Sequence, residues 1–417
     1  MSETAWRNRT LGEVADLCLG KMLDQNKNRG VPTPYLANVN VRWGEFVLDD
    51  LRVMRFEEHE RDRYGLKYGD IVMCEGGEPG RCAIWKEQVP GMMIQKALHR
   101  IRPKAGLDHR FLYYSFRNIG LLSGFDQYFT GATIKHLPGE KLAKVEVPIP
   151  PLPIQRRIAG ILSAYDDLIE NSQRRIKILE EMARQLYREW FVYFRFPGHE
   201  DCRLVDSPLG EIPEGWEVKP IQHFGKVITG KTPSKANADF YGYDVQFVKT
   251  PDMHGNLFIL DTNERLSAAG AASQANKTLP AGTICVSCIG TLGVVSIATE
   301  YCQTNQQINA LVPKNEASRE FLYLCLQDAK QTLENLGANG ATMGNVNKGK
   351  FEAIEILSPC TELLAKYHHL ARSMFEEILV LSRQSQNLRR TRDLLLPRLL
   401  SGQIDVEALP GPVLSEP

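Results

Sequence analysis

Residues 6–21 read WRNRTLGEVADLCLGK, and residues 216–231 read WEVKPIQHFGKVITGK. Set at an offset of 210, the two stretches share the opening Trp6 and Trp216, an apolar side chain at Leu11 and Ile221, and the closing pairs Gly20-Lys21 and Gly230-Lys231. One such match could be chance, but more follow in the same order. Residues 68–84 (YGDIVMCEGGEPGRCAI) match residues 281–297 (AGTICVSCIGTLGVVSI) at an offset of 213. Phe111-Leu112-Tyr113 recurs as Phe321-Leu322-Tyr323, and Gly131-Ala132-Thr133 as Gly340-Ala341-Thr342. From that triplet onward the offset holds at 209. The chain is one design written twice, and small loop insertions account for the drift.

Each copy has two parts. The first, residues 1–150 and 214–359, alternates Gly-rich turns with short strand-like runs at Ile71–Cys74, Val145–Ile149, Ile284–Cys288, Val294–Ala298 and Ile354–Leu357, which reads as an α+β domain. The second, residues 151–196 and 360–405, follows the stop Pro148-Ile149-Pro150-Pro151-Leu152-Pro153 in the first copy. Apolar residues then recur at Ile154, Ile158, Ile161, Tyr165, Ile169, Ile176, Leu179, Ala183, Leu186 and Trp190, with Ser172 the one polar exception. Those steps alternate four and three with one extra four, the seam of a coiled coil with a stutter, over about 60 Å. The second helix repeats the register at Leu363, Tyr367, Leu370, Met374, Ile378, Leu381, Ser385, Leu388 and Leu395.

Each helix carries an apolar stripe that it must bury, and the other helix is the simplest partner. A linker at 197–213, with Pro208, Gly210 and Pro213, joins the first helix to the second domain. That domain therefore starts where the first helix ends, and the second helix must run back. Two long antiparallel helices joining two similar domains, a pseudo-two-fold internal repeat with a tail at 406–417, is the expected architecture.

At 417 residues the chain is long enough for two or three domains. With 43% hydrophobic and 24% charged residues it has the composition of a globular protein, and no stretch reaches the roughly 18 apolar residues of a membrane span. The first ten residues lack an apolar signal core, and nine irregularly spaced cysteines argue for reduced thiols. Both point to the cytoplasm. Fifty basic and fifty acidic side chains cancel, which speaks against nucleic-acid binding by net charge alone. Between Gly91 and Lys144, however, nine Lys or Arg face three acids. That run is either a basic binding face or an ordinary solvated one.

Several patterns fail on chemistry. Gly225 to Thr232 satisfies the phosphate-loop pattern in full, but Pro233 and a polar stretch follow where a helix N-terminus should face phosphate, and the first copy keeps only Gly20-Lys21. Nucleotide hydrolysis through Lys231 is rejected. Cys285 and Cys288 form a lone C-x-x-C without the further ligands zinc needs, and read as thiols of a buried strand. His368-His369 reads as a packed or solvated helix face. Nothing in the chain resembles a catalytic constellation, a metal site or a cofactor loop. The stretch from Glu75 to Arg81, with Gly76, Gly77 and Gly80 around Pro79, is either a plain hairpin or a loop that brings Arg81 to a guanine edge and backbone amides to phosphate.

The chain resembles the specificity subunits of type I restriction-modification systems over nearly its whole length. The resemblance rests on Gly69-Asp70-Ile71 through Arg81, on Gly131-Ala132-Thr133, and on Pro148 to Leu152 with Gln155 and Ile158. It rests also on Arg188-Glu189-Trp190-Phe191, on Phe196-Pro197-Gly198-His199 through Trp216, and on Leu396 to Gly402. It implies two target-recognition domains, each reading one half of a bipartite DNA site, and two spacer helices that dock methyltransferase (modification) subunits. A restriction/translocase subunit is the further partner implied. The subunit itself would be non-catalytic, without metal or cofactor. A coiled-coil scaffold without DNA contact is the competing reading.

On this resemblance the first domain is expected to touch DNA through Glu75, Gly77, Gly80, Arg81, Thr133, Lys135 and His136, with Lys96, Arg100, Arg102 and Lys135 on phosphates. The second is expected to use Lys231, Lys249, Thr342, Asn345 and Lys348. It departs from the pattern at Thr361-Glu362 and lacks the Gly-Gly-x-Pro-Gly loop. A helix of about 60 Å spans under two turns of duplex at about 34 to 36 Å each, which allows two major-groove contacts with unread base pairs between them.

Overall fold

The computed structural model describes residues 6–22, 24, 28–338 and 344–409. The chain divides into two compact units, residues 1–169 with 387–417 and residues 170–386. The division passes through both long helices, so each unit holds one globular head with one half of each helix.

In the first unit, strand Arg7–Thr10 pairs antiparallel with Glu146–Ile149, Arg7 opposite Ile149. Neither stretch alternates apolar with polar residues, which hides Arg7–Thr10 from a periodicity argument. The main sheet is antiparallel in the order Ala15–Leu19, Leu98–Pro103, Ile71–Cys74, Cys82–Ile84. All four residues of Ile71–Cys74 are buried because both faces of the strand are covered. Ile71 and Met73 point into a core with Phe111 and Val147, while Val72 and Cys74 point into a second core with Leu36 and Trp85. A smaller sheet runs Arg52–Phe56, Val31–Leu36, Met93–Ile94, its last pair parallel. Helix His109–Leu121 is capped by the Asp108 carboxylate, which accepts from the Arg110 and Phe111 amides, and it buries Phe111, Leu112, Tyr113, Tyr114 and Phe116.

The second unit repeats this plan. Glu217–Pro220 pairs antiparallel with Glu355–Ser358. The main sheet runs Gly225–Thr229, Ile308–Pro313, Ile284–Ser287, Val295–Ala298, with Phe258–Ile259 added at its edge. The smaller sheet again ends in a parallel pair, Val245–Val248 against Cys302–Thr304. Gly225–Thr229 is thus a sheet strand, not a phosphate-binding loop. The Gly-Lys pairs that betray the repeat mark a close backbone crossing. The Gly20 and Gly230 amides donate to Leu98 and Ile308 carbonyls at 2.9 and 3.1 Å. A Cβ on Gly20 would stand 2.4 Å from the Gln95 carbonyl oxygen, and one on Gly230 2.2 Å from that of Asn305.

The long helices are Leu152–Tyr187, followed by a π-helical turn at Arg188–Val192, and Thr361–Leu400. They run antiparallel in each unit. In the first, Asp166 meets Arg392, and Ile158 and Leu162 share a core with Leu396 and Leu399. In the second, Arg175 meets Glu377, and the Trp190 ring lies 5.8 Å from that of Tyr367. The first seam follows the expected register in part, with Ile158, Ile169, Ser172, Ala183 and Trp190 buried but Ile154, Ile161, Tyr165, Ile176, Leu179 and Leu186 only half-buried, and Ala159, Leu162 and Tyr187 buried beside them. The second is corrected at one point. Leu370 is 46% exposed, and Ala371 and Phe375 are buried instead. Ala371 and Phe375 join the core of the second unit there.

Two further signatures gain a physical reason. Gln155 is fully buried, its amide donating to the Pro150 and Gly106 carbonyls and accepting from the Asp108 amide. Trp190 and Phe191 join Tyr187, Trp216, Phe321 and Tyr367 in an aromatic core of the second unit. The stretch expected as a plain linker folds in part, as an antiparallel hairpin of Leu204–Ser207 with Gly210–Pro213. Among the described residues no helix is long and apolar enough to cross a membrane.

Candidate nucleic-acid interface

The hairpin loop 75–81 leaves strand Ile71–Cys74 and returns into Cys82–Ile84. The Cys74 amide donates to the Arg81 carbonyl at 2.8 Å and the Gly80 amide to the Cys74 carbonyl at 3.0 Å. Gly80, at φ +92°, packs so closely on Phe125 that a Cβ would stand 2.9 Å from its ring. Against this loop lies a second one, residues 130–137. The Leu137 amide donates to the Glu75 carbonyl at 2.8 Å, and Gly76 and His136 form an isolated antiparallel bridge. The His136 Nδ1 lies 3.2 Å from a Glu75 carboxylate oxygen. The fold thus joins two sequence signatures some 55 residues apart, Glu75 to Arg81 and Gly131-Ala132-Thr133, into one cluster. Thr133 is exposed in it, as is Lys135, which lies over the Phe129 ring and 3.8 Å from Asp126.

The second unit builds the same cluster from different side chains. The Val346 amide donates to the Cys288 carbonyl at 2.8 Å, the repeat equivalent of the Leu137–Glu75 bond, and Ile289 bridges Asn345. Asn345 is exposed there. The second loop is uncharged where the first carries Glu75, Glu78, Arg81 and His136, so the two clusters present different hydrogen-bonding groups. Thr342 lies outside the described residues.

A lysine stands beside each cluster. Lys96 precedes Ala97, whose carbonyl accepts the Glu75 amide, and its ammonium is exposed. Its repeat equivalent is Gln306, which accepts from the Thr232 hydroxyl at 2.6 Å. That places exposed Lys231 next to it. The equivalent of Lys231, Lys21, is buried and paired with Glu60 at 2.5 Å. The exposed lysine thus comes from a different segment of the head in each copy.

Four of the residues expected to touch DNA have internal partners. Arg100 turns inward, 7% exposed, and donates to the Asp62, Arg63 and Gly65 carbonyls at the end of helix Glu58–Tyr64. Arg102 makes a two-pronged pair with the buried Asp70, both bonds 2.7 Å. Arg81 binds Glu78 at 2.5 Å and the Asn38 carbonyl at 3.0 Å, so it braces its own loop. Lys249 pairs with Glu264 at 2.5 Å, which holds that carboxyl below its ordinary range. Each guanidinium or ammonium is engaged within its own unit by a helix-end carbonyl, a loop carbonyl or a carboxylate. Lys348 is half exposed in an i,i+4 pair with Glu352 at 3.4 Å.

Residues that sequence reading missed hold the clusters in place. The His99 Nε2 donates to the Leu137 carbonyl at 2.8 Å, and the Asn309 amide donates to the Val346 carbonyl at 3.0 Å. His99 and Asn309 are equivalent at offset 210, a signal that was legible but chemically disguised by the change of residue. Burial pushes the His99 imidazole below its usual range.

The remaining sequence features are structural. Burial raises Cys288 to about 11, and a hydrogen bond to Cys302 together with burial raises Cys285, so both are packed thiols. His368 accepts the packed reading, its Nδ1 2.6 Å from a carboxylate oxygen of the fully buried Glu320, which Arg319 also binds at 2.6 Å.

A twice-written α+β head with paired loop clusters on two long helices defines the class of fold, and comparison with known proteins supplies its family. The family model for the type I restriction modification DNA specificity domain matches residues 3–181 and 213–362. The chain belongs to that family. The HindI specificity subunit of Haemophilus influenzae is 34% identical over 333 residues, 65% of this chain and 72% of that protein. The MjaIX specificity subunit of Methanocaldococcus jannaschii is 26% identical over 347 residues, covering 82% and 79%. The crystal structure of a type I S subunit from M. genitalium superposes with a TM-score of 0.59 at 15% identity, covering 96% of this chain and 97% of that one, which shows the same fold.

Proposed function

We propose that this chain reads a bipartite DNA sequence, the head within residues 1–150 taking one half-site and the head within 214–359 the other. The observation that carries the reading is the repeated loop clamp, Leu137 to Glu75 and Val346 to Cys288, with an exposed lysine beside each. Two clusters closed by equivalent backbone bonds and carrying unlike side chains suit two unlike half-sites. In the first cluster Thr133, Lys135, His136 and Glu75 are the base-facing groups, and Lys96 takes phosphate. In the second Asn345 faces bases, where an amide can bond adenine at two points, and Lys231 and Lys348 take phosphates. Exposed Gly77 lets the backbone come close, while buried Gly80 seats the loop on Phe125.

The subunit performs no chemistry. It supplies sequence choice to methyltransferase subunits docked on the long helices and, through them, to a restriction/translocase subunit. Modified-base mapping of the host genome with and without the gene tests this. Loss of one two-part methylated sequence is expected, and an unchanged methylation pattern would overturn it.

A further inference from the structure

The second unit contains a cavity of about 310 Å³ between its head and both long helices. The first long helix contributes Glu180, Ala183 and Arg184, the second Phe375, and the head Tyr323 and Gln327 together with residues 253–257, His254 among them, and 293–295. The volume lies at the lower end of the roughly 300 to 1,000 Å³ typical of ligand sites.

The other half of the chain shows what such a corner holds. At the positions equivalent to Ala183, Arg184 and Phe375 the first unit has Arg392, Asp393 and Asp166. Arg392 is 6% exposed there, its guanidinium bound to both Asp166 and Asp393. Tyr114 adds a 2.6 Å bond to Asp166, and Arg117, equivalent to Gln327, binds Asp393 at 3.2 Å. In the second unit alanine replaces that arginine. The guanidinium is missing, and space stands where it would be.

Its two carboxylate partners have gone with it, replaced by Arg184 and Phe375, and a carboxylate from another position, Glu180 in place of Arg389, lines the hole instead. Glu180, one turn before Arg184 on the same helix, lines the cavity without a hydrogen-bond partner among the described residues, and burial pushes its carboxyl up. Arg184 gives its guanidinium to Glu181 at 3.2 Å. The Tyr323 and Phe375 rings meet edge to face at 5.6 Å, offering aromatic surface to a positive charge. Gln327 donates to the Tyr323 hydroxyl at 2.7 Å, which leaves its amide oxygen to accept. A carboxylate, an amide oxygen and aromatic rings around a hole form the set that binds an N–H-rich cation.

We infer that this cavity binds an organic cation, a guanidinium or primary ammonium group, in the place that the Arg392 side chain fills in the other half. The cation donates to the Glu180 carboxylate and Gln327 amide oxygen and lies against Tyr323 and Phe375. Its source is a free small cation such as a polyamine, or an arginine side chain of a partner subunit.

Calorimetric titration of the full chain with agmatine and with spermidine, against sodium chloride at equal ionic strength, tests the site. Saturable binding of one cation per chain is expected, weakened at least about tenfold by Glu180→Gln and abolished by Ala183→Arg, which fills the hole. Glu362→Gln, which removes the exposed partner of Lys366 away from the cavity, leaves it within about twofold. Absence of saturable binding to the unaltered chain, or equal binding by Glu180→Gln, would overturn the inference. Repeating the titration on the assembled complex separates the sources. Retained binding identifies a free cation, whereas loss of binding together with weakened assembly of Ala183→Arg identifies a partner's arginine.

Discussion

The His99 Nε2 donates to the Leu137 carbonyl at 2.8 Å, across the strand that supports the first loop cluster. Leu137 in turn holds Glu75, so one buried imidazole fixes both loops. Asn309 does the same for Val346 in the second unit. His99→Ala leaves a buried carbonyl without its donor and should cost about 1 to 3 kcal/mol in denaturant unfolding. His99→Asn, the residue the other copy uses, should stay within about 1 kcal/mol of the parent.

The same pair predicts a pH dependence. Burial lowers the folded-state pKa of His99, while an unfolded histidine titrates near about 6.5. Below that pH the unfolded chain binds the extra proton and the folded chain resists it. Stability is fully present above about pH 6.5 and is lost as pH falls through the folded pKa. Thermal melts between pH 7 and 5 should therefore drop less for His99→Asn than for the parent; equal drops would show that His99 is not the group responsible.

Arg102 and Asp70 test the distinction between a structural and a DNA-contacting arginine. Asp70 is 1% exposed, so Arg102→Ala strands a buried carboxylate and should destabilise the chain by about 3 kcal/mol. The folded protein should keep the parent's salt dependence of DNA binding. A shallower slope would return Arg102 to the phosphate-contacting set.

Lys96 and Lys231 should behave oppositely. Each alanine variant leaves stability within about 0.5 kcal/mol, because neither ammonium has an ion pair among the described residues. Each should lower the salt slope of DNA binding by about 1 without changing which sequence is preferred. Asn345→Ala should instead cost about 1 to 3 kcal/mol and relax preference at one base pair, read by competition binding with the methyltransferase subunits present.

The helix seam gives a test independent of DNA. Ala371 is fully buried, and Ala371→Leu should overpack the interface at a cost of about 1 to 3 kcal/mol. Leu370→Ala removes an exposed side chain and should change stability by less than about 0.5 kcal/mol. Chemical denaturation of the two variants distinguishes the observed register from the one periodicity suggests.

Organisation was legible in the sequence because repetition and periodicity are properties of order along the chain. The duplication, the buried strands Ile71–Cys74 and Ile284–Ser287, and the two long helices all follow from spacing and apolar runs. So did the family, whose signatures include buried structural devices such as Gln155 and Trp190. What each charged side chain does was not legible. Arg100, Arg102 and Lys96 are alike as letters, yet the first two turn to inward carbonyls and a carboxylate while the third faces solvent. An arginine's role depends on which acceptors the fold leaves unpaired near it, and these come from residues about 32 to 38 positions away. The loop clusters are tertiary for the same reason. Glu75 and His136 meet because a backbone bond from Leu137 ties their loops together, and only the folded sheet brings that donor and acceptor within reach.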